Sequence, residues 1–372
     1  MSFTVWLCAN TLTYPEGGGH AWAYLNWALG FKSIGCEVVW VEPFDPAELP
    51  ANEARALVAS LKVRLKPYGM AEAVALCSSK HVELPPGFGD GCVDLEAASS
   101  ADLLVNMAYD ACEPLIPRFR RSALIDIDPG LLQVWLAAGA MRVPPHDVYF
   151  STGEALVNDC DRNWLRVPPC VSLDWWPVSP APPGAPFSTV STWNTKEWFN
   201  YNGESYANDK WTGFLPFLDL PQHTSQPLEL ALCLADDQQD DRRGLEQRGW
   251  QVTHSFAVAS TPAAYQRYIQ NSRGEFSCSK PSCVRLQSGW VSDRTLCYLA
   301  SGKPAVVQHT GPRKCLPDAA GMFRFRDMDE AVRCLETVAA DYDRQCRLAR
   351  ALAEEHFDAR KIAAQVLEQA LR

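Results

Sequence analysis

Residues 3 to 41 read strand, loop, helix, strand, and that order constrains how the chain must begin to fold. Phe3 to Ala9 is apolar and β-rich, Thr11 to Gly19 is loop, Ala21 to Ile34 carries helical periodicity closed by Gly35, and Glu37 to Val41 returns to strand. Two strands joined through a helix pair in parallel through a right-handed crossover, so the opening is a Rossmann-like βαβ unit. Leu103 to Ala108 and Ala123 to Asp128 are further short buried strands. Each ends in polar residues, and open α/β sheets bind ligands outside the carboxyl ends of their strands.

The alternation is interrupted once and then resumes. Between Val167 and Pro186 prolines stand at 168, 169, 177, 180, 182, 183 and 186 around Trp175 and Trp176, a density that blocks helix and ladder alike and suits a semi-rigid connection. Beyond it, strands are expected at Phe187–Thr192, Leu228–Leu234, Trp250–Thr253 and Pro304–Gln308, with helices at Arg242–Gln247, Thr261–Asn271 and Ser292–Ala300. Asp329 to Arg372 reads as helix broken around His356 to Asp358, and Tyr201 to Asp219 as loop. At 372 residues the chain is too long for one compact core. The expected organisation is a domain over 1–170, a linker over 171–186, a second domain over 187–345 and a terminal helix over 346–372 with the option of returning to the first domain.

Composition narrows the function classes. A net charge of −10 sets the average surface field against polyanions, so nucleic acid is not the default partner. The local run Arg118, Arg120, Arg121 reads as a solvated helix face or a small basic patch. No stretch approaches the ~20 apolar residues that span a bilayer, and MSFTVWLCAN has no secretory pattern, so a cytoplasmic location is expected. Fourteen cysteines in such a chain read as reduced thiols. The closest pair, Cys278 and Cys283, lacks zinc-knuckle spacing and no two histidines sit at helical spacing, so no metal is expected.

Two constellations carry chemistry. TYPEGGGHAW, residues 13–22, joins the first strand to the first helix. Its glycines allow close backbone approach, but their spacing is not a dinucleotide fingerprint, although the second strand does end at Glu42. His20 at this turn is a candidate general base, against a capping role, because imidazole titrates near neutrality. A carboxylate would fix its tautomer: Asp110 is the candidate, with Asp126 and Asp128 of IDIDPG as rivals that also suit turn capping. The second constellation spans 274–311. SGWVSDRT places Ser292 as N-cap, with Asp293 and Arg294 in the first helical turn. Free amides and the helix dipole there favour a phosphate, to which Arg294, Arg285 and Lys280 could add charge-assisted bonds. A well-capped structural helix is the bland alternative.

SDRTLCYLASGKPAVVQHTG resembles the donor-side helix and following strand of GT-B glycosyltransferases. GGGHAWAYLNWALGFKSIGCEVVWVEP, IDIDPGLLQVW, HDVYFSTGE and FSTVSTWN are similar, in the same order, to segments of bacterial GT-B-like proteins. The resemblance implies an α/β fold of two Rossmann-like domains facing across a cleft, the first for an acceptor and the second for a nucleotide-sugar. It makes His20 similar to the base of inverting members, with Gly18, Gly19 and Trp22 on the acceptor side. Thr192, Trp193 and Asn194 become donor contacts beside Lys280, Arg285, Ser292, Asp293 and Arg294, and Gln308, His309, Thr310 and Gly311 face the donor sugar. One departure stands out: where many members carry a ribose-binding Glu, counting back from Pro304 gives Cys297, so either Asp293 replaces that contact or the donor is held differently.

The expected activity is metal-independent, inverting transfer from a nucleotide-diphosphate sugar, UDP-linked, with no resident cofactor. The Trp-rich segment from Trp193 to Trp211 favours a small, flat or apolar acceptor. Transfer to a hydroxymethylpyrimidine in DNA, nucleotide-sugar epimerisation, and nucleotide binding without turnover are the alternatives.

Overall fold

The computed structural model describes residues 2–80, 84–110, 112–154, 162–235, 238–313, 316 and 319–372. The chain divides into two compact units: Met1–Thr152, Asn158–Ser172 and Asp358–Arg372 form the first, and Gly153–Val157 with Leu173–Phe357 the second.

The first unit is built on β1 (Thr4–Cys8), α1 (Gly18–Ser33), β2 (Glu37–Phe44), α2 (Ala51–Leu65), β3 (Val74–Ser78), β4 (Leu103–Asn106), β5 (Ser122–Asp126), α3 (Leu131–Ala137), β6 (Val148–Ser151) and β7 (Trp164–Arg166). Its sheet runs β3-β2-β1-β4-β5-β6-β7, and every pair is parallel. Val5 to Cys8 are all buried, as a parallel strand covered on both faces requires. The first helix starts earlier than its periodicity indicates. Gly17 serves as its N-cap and Gly18 as its first residue, so His20 lies within the first turn rather than before it. Gly35 ends this segment at φ +86°, a conformation glycine adopts without strain.

The second unit follows with β8 (Phe187–Thr192), β9 (Trp198–Tyr201), β10 (Glu204–Ala207), α4 (Lys210–Phe214), β11 (Leu228–Cys233), α5 (Gln239–Gln247), β12 (Gln251–His254), α6 (Ser255–Ala259), α7 (Pro262–Asn271), β13 (Gly274–Ser277), α8 (Pro281–Leu286), α9 (Asp293–Ala300), β14 (Ala305–Gln308), β15 (Ala319–Ala320), β16 (Met322–Phe325), α10 (Met328–Ala340) and α11 (Tyr342–His356). The order is β12-β11-β8-β13-β14-β16-β15, parallel except for β15. The chain then re-enters the first unit as α12 (Ala359–Leu371), whose Asp358 cap accepts the Arg360 amide at 2.9 Å. Close packing of α12 on α1 depends on Gly30, where a Cβ would stand 2.7 Å from the Ala359 carbonyl.

Two expectations are corrected. Residues 201–219 are not loop: β9 and β10 pair antiparallel through Asn202-Gly203, both at positive φ, and α4 follows. Asn-Gly between two short polar-aromatic strands was the available signal. The terminal helical region has a second break, at Asp341, where the backbone leaves helical angles (φ −141°, ψ 53°). The proline-rich stretch is tied down: Trp176 is fully buried edge-on to Tyr265, and its carbonyl accepts Arg350 at 2.8 Å.

Candidate functional site

In the second unit the strand order turns at β8, with β11 and β12 on one side and β13, β14 and β16 on the other. A small open depression lies at the carboxyl ends of β13 and β14, lined among others by Ser277, Ser279, Ser292, Gln308, Thr310 and Arg324. Helix α9 begins here. The Ser292 hydroxyl accepts the Arg294 amide at 3.2 Å, and Ser292 and Thr295 line the depression, so the positive end of the helix dipole is presented to whatever occupies it.

The cations are distributed differently from the sequence expectation. Arg294 lines the depression, but each guanidinium nitrogen donates within the domain: Nε to Glu275 Oε1 at 2.8 Å, one terminal nitrogen to the Val190 carbonyl at 2.9 Å, the other to Ser277 Oγ at 2.6 Å. Burial opposes its charge most strongly, yet Glu275 together with Tyr265 and Tyr298 holds the guanidinium above its ordinary range. Arg294 is thus a pillar under the site rather than a free phosphate ligand. Lys280 bonds Glu197 at 2.7 Å, and Arg285 lies 3.8 Å over the Tyr206 ring, so both are engaged with the β9–β10 hairpin and its approach.

Lys210, absent from the sequence expectation, lies buried behind the wall of the depression, bonded to the backbone between the lining residues Ser277 and Ser279. It is the first residue of α4, whose Asp209 cap accepts the Thr212 amide at 2.8 Å, and its Nζ donates to the Cys278 carbonyl at 2.5 Å. A Cβ on Gly213 would meet the Ser279 carbonyl at 2.1 Å, so only glycine lets this helix lie against the backbone after β13. Burial, helped by Arg294, pulls the Lys210 ammonium down to about 7. Arg324, also absent from the expectation, reaches the rim from β16 and donates to the Gly311 carbonyl at 2.8 Å. Neither residue has a local motif, because each arrives from an element distant in sequence.

The remaining donor-side candidates separate by burial. Gln308 lines the depression while its Oε1 accepts the Ser279 amide at 2.9 Å, and Thr310 donates to the Trp290 carbonyl at 2.6 Å. His309 Nδ1 accepts the Gly311 amide at 3.2 Å, and Gly311, at φ +124°, leaves no space for a Cβ, which would sit 2.3 Å from the Gln287 carbonyl. Thr192 is exposed and Asn194 half-buried after β8, with Asn194 accepting the Lys196 amide. Trp193 is fully buried against Trp211 and Phe214. Its indole belongs to the core, and the exposed aromatic of this segment is Trp198. Cys297, at the position of the missing Glu, is fully buried, and Asp293 is half-buried in the first turn of α9.

In the first unit the order turns between β1 and β4, so the loops after these strands flank the switch point. His20 is exposed there, between the rings of Tyr14 at 4.9 Å and Tyr24 at 5.3 Å. Its Nε2–H donates to the Asn10 carbonyl at 2.5 Å. The orienting group is therefore a backbone carbonyl, not Asp110, which is exposed and whose own carbonyl accepts the Glu113 amide. Glu42, at the far end of β2, is fully buried and accepts the amides of Thr11 and Leu12, the Thr11 hydroxyl and the Trp40 indole. Burial pushes this carboxyl up while the four bonds pull it down.

Beside this loop, Tyr109 adopts φ +55°, held by Asn106, which donates to its carbonyl at 2.7 Å. The Tyr109 hydroxyl donates to Asp128 at 3.1 Å and accepts the Ile127 and Asp128 amides. Burial, with Asp128, Asp126 and Tyr24 close by, raises this phenol well above its ordinary range. Asp126 is buried under the turn, accepting Ser151, Gln133 and the Asp128 amide; burial and the Asp128 charge push it up to about 7. Gly18 and Gly19 lie in the first turn of α1. Trp22 is fully buried edge-on to Tyr68, so its ring cannot serve as an acceptor contact. The basic run lies at the opposite ends of the strands, just before β5, with Arg118 paired to Glu96 and Arg121 to Asp147.

Among the described residues no group of three His, Cys, Asp or Glu side chains is placed to hold a metal ion, and no helix is long and apolar enough to cross a membrane. Two parallel-sheet α/β domains, each with a turn in its strand order, define the GT-B fold. Solved structures with this fold cover the whole chain at low identity. The Anabaena protein Alr3699/HepE, in complex with UDP and glucose, superposes with a TM-score of 0.59 at 13% identity over 99% of both chains. An α-glucosyltransferase bound to UDP and a 13-mer DNA gives 0.61 at 12% over 100% of both. Sucrose-phosphate synthase from Thermosynechococcus elongatus gives 0.54 at 9% over 99% of this chain and 98% of the other. No protein-family model matches the sequence, and no curated protein matches it.

Proposed function

We propose that the protein is a glycosyltransferase that moves a sugar from a UDP-linked donor to a hydroxyl of a small neutral acceptor, without a divalent metal. The observation that carries this reading is the depression at the ends of β13 and β14. It combines a helix start with the rim Arg324, and the buried Lys210 is bonded to the Cys278 carbonyl between the lining Ser277 and Ser279, a set that suits a diphosphate. The structural neighbours that hold UDP are consistent with it. In the reaction the acceptor oxygen attacks the anomeric carbon, the bond from that carbon to the diphosphate breaks, and the electron pair leaves on the phosphate oxygen. Helix amides, Lys210 and Arg324 neutralise that charge, which is the largest contribution a preorganised site makes. His20 takes the acceptor proton, and attack on the face opposite the departing diphosphate inverts the anomeric carbon.

The acceptor reading rests on charge and shape. Residues 9–20, 107–110 and 127–130, the loops around the first unit's switch point, contain no Lys or Arg. They present the ring of Tyr14, the imidazole of His20 and the carboxylates of Asp110 and Asp128. Carboxylates accept bonds from hydroxyls and repel phosphates, which disfavours DNA despite the DNA-bound neighbour.

The test is a thermal-shift screen of nucleoside diphosphates followed by transfer assays. A ligand at 100 times its dissociation constant stabilises by about 2.7 kcal/mol, and UDP is expected to be the best of the series. His20→Ala is expected to abolish transfer with UDP affinity unchanged, and EDTA to have no effect. Absence of any UDP shift would overturn the donor reading, full turnover by His20→Ala the role of His20, and a duplex-DNA gel shift at low salt the acceptor class.

A further inference from the structure

The loop between β1 and α1 is held from beneath by one side chain. Glu42 Oε2 accepts the amides of Thr11 at 2.8 Å and Leu12 at 3.0 Å; Oε1 accepts the Trp40 indole at 2.7 Å and the Thr11 hydroxyl. Four donors converge on the four lone-pair positions of a carboxylate that is fully buried. Arg64, from α2, donates to the Pro15 carbonyl of the same loop at 3.1 Å. Asn10 lies between β1, whose register continues through the Ala9 amide to the Val41 carbonyl at 2.9 Å, and Thr11, fixed on Glu42. Its carbonyl is thereby pinned, and that carbonyl receives the His20 Nε2–H. Gly17 completes the arrangement, because a Cβ there would stand 3.2 Å from both the His20 Cβ and the Tyr14 carbonyl.

We infer that Glu42 is a positioning residue for His20, holding the Asn10 carbonyl so that the imidazole keeps its proton on Nε2 and offers the lone pair of Nδ1 to the acceptor hydroxyl. The proton-accepting atom is thus Nδ1. A ring nitrogen that faces a carbonyl must carry hydrogen, since two lone pairs at 2.5 Å repel. This assignment rests on the proposal that His20 acts on the acceptor, but its geometry can be tested apart from turnover. Glu42 touches no substrate. It acts two residues away, through Thr11 and the backbone, and supplies what an Asp–His pair supplies elsewhere without placing a carboxylate on the ring. An amide at position 42 has only one accepting oxygen for these four donors, so Glu42→Gln loosens the loop while nearly preserving volume. Thr11→Val removes the hydroxyl bond alone.

The experiment is a two-bond ¹H–¹⁵N correlation spectrum of the imidazoles in the full chain, with His20 assigned from its loss in His20→Gln, alongside steady-state kinetics. In the natural protein at a pH where His20 is neutral, Nε2 is expected to carry the proton and Nδ1 to resonate as the bare nitrogen. In Glu42→Gln and Thr11→Val the His20 signals are expected to shift toward tautomer averaging. The kcat is expected to fall by about tenfold, with KM for the UDP-sugar within twofold, since misplacing a reacting group by a fraction of an ångström acts on the chemical step. A His20 resonance with the proton on Nδ1, or tautomers unchanged in both folded variants, overturns the inference. If the spectra behave as expected while His20→Ala retains full turnover, the positioning stands and the catalytic role of His20 falls. Should Glu42→Gln fail to fold, Thr11→Val decides.

Discussion

Replacing Lys210 by methionine should make the protein more stable and a poorer binder of UDP. The ammonium is almost completely buried and gives one hydrogen bond, to the Cys278 carbonyl. Burial first, and the Arg294 charge second, bring its pKa from 10.5 to about 7. Each tenfold is about 1.4 kcal/mol, so keeping this side chain charged in the folded, ligand-free protein costs on the order of 5 kcal/mol. The sign follows from linkage. Because the unfolded chain holds the proton up to about 10.4, the penalty is fully present below about pH 7 and fades as pH rises from 7 towards 10. Methionine fills similar volume, removes the charge and loses one hydrogen bond worth about 1 to 1.5 kcal/mol. Lys210→Met is therefore expected to gain about 1 to 3 kcal/mol in urea unfolding at pH 6.5, after discounting for relaxation around the charge. With the diphosphate in the proposed donor site, the same substitution also removes a positive charge that would act on it, worth about 1.5 to 3 kcal/mol, or about 10- to 100-fold in dissociation constant. Calorimetry across pH should also show UDP binding to the natural protein weakening above pH 7, with uptake of a proton that the variant does not show. A variant that is destabilised at pH 6.5 and binds UDP as tightly as the natural protein would refute the reasoning.

Two further outcomes are expected. Arg294→Met leaves Glu275 buried without its partner and should cost about 3 to 5 kcal/mol in chemical unfolding, with much of the loss recovered when Glu275→Gln is added; an unchanged midpoint would show that the pair does not support the site. Asp126, raised to about 7 by burial and by Asp128, holds a proton in the folded state that the unfolded chain releases near pH 4. Its contribution is therefore present below pH 4 and lost progressively up to pH 7. Asp126→Asn should flatten that slope, and identical pH profiles for the two proteins would reject the assignment.

Local pattern decided a large part of this protein. The βαβ opening, the strand Phe187–Thr192, the Thr261 cap before Pro262 and the Ser292 cap before α9 all depend on short-range periodicity and on side chains bonding amides two or three residues away. Such information is contained in a few consecutive residues, so it survives without knowledge of the fold. The repeated alternation gave α/β units on either side of the proline-rich stretch, and the GT-B arrangement was implied by the family resemblance of the quoted segments. The hairpin at 198–207 was also locally encoded, in Asn202-Gly203, but its aromatic and polar residues obscured the period-two pattern.

The composition of the sites was settled only in three dimensions. Arg294 reads from sequence as a phosphate ligand, yet Glu275, nineteen residues earlier, and the Val190 carbonyl, 104 residues earlier, claim its donors. Lys210 falls in a stretch read as loop and is brought against the backbone after β13 by the close approach of Gly213 to Ser279. Trp22, expected as an acceptor contact, and Trp193, expected as a donor contact, are core. The partner of His20 is a backbone carbonyl, a group every residue carries and no sequence can single out. The sequence by itself determined which segments become strands and helices and where strand ends would gather. Tertiary structure alone decided which charges are consumed within the protein and which are left for a ligand, because that depends on contacts between residues tens to hundreds of positions apart.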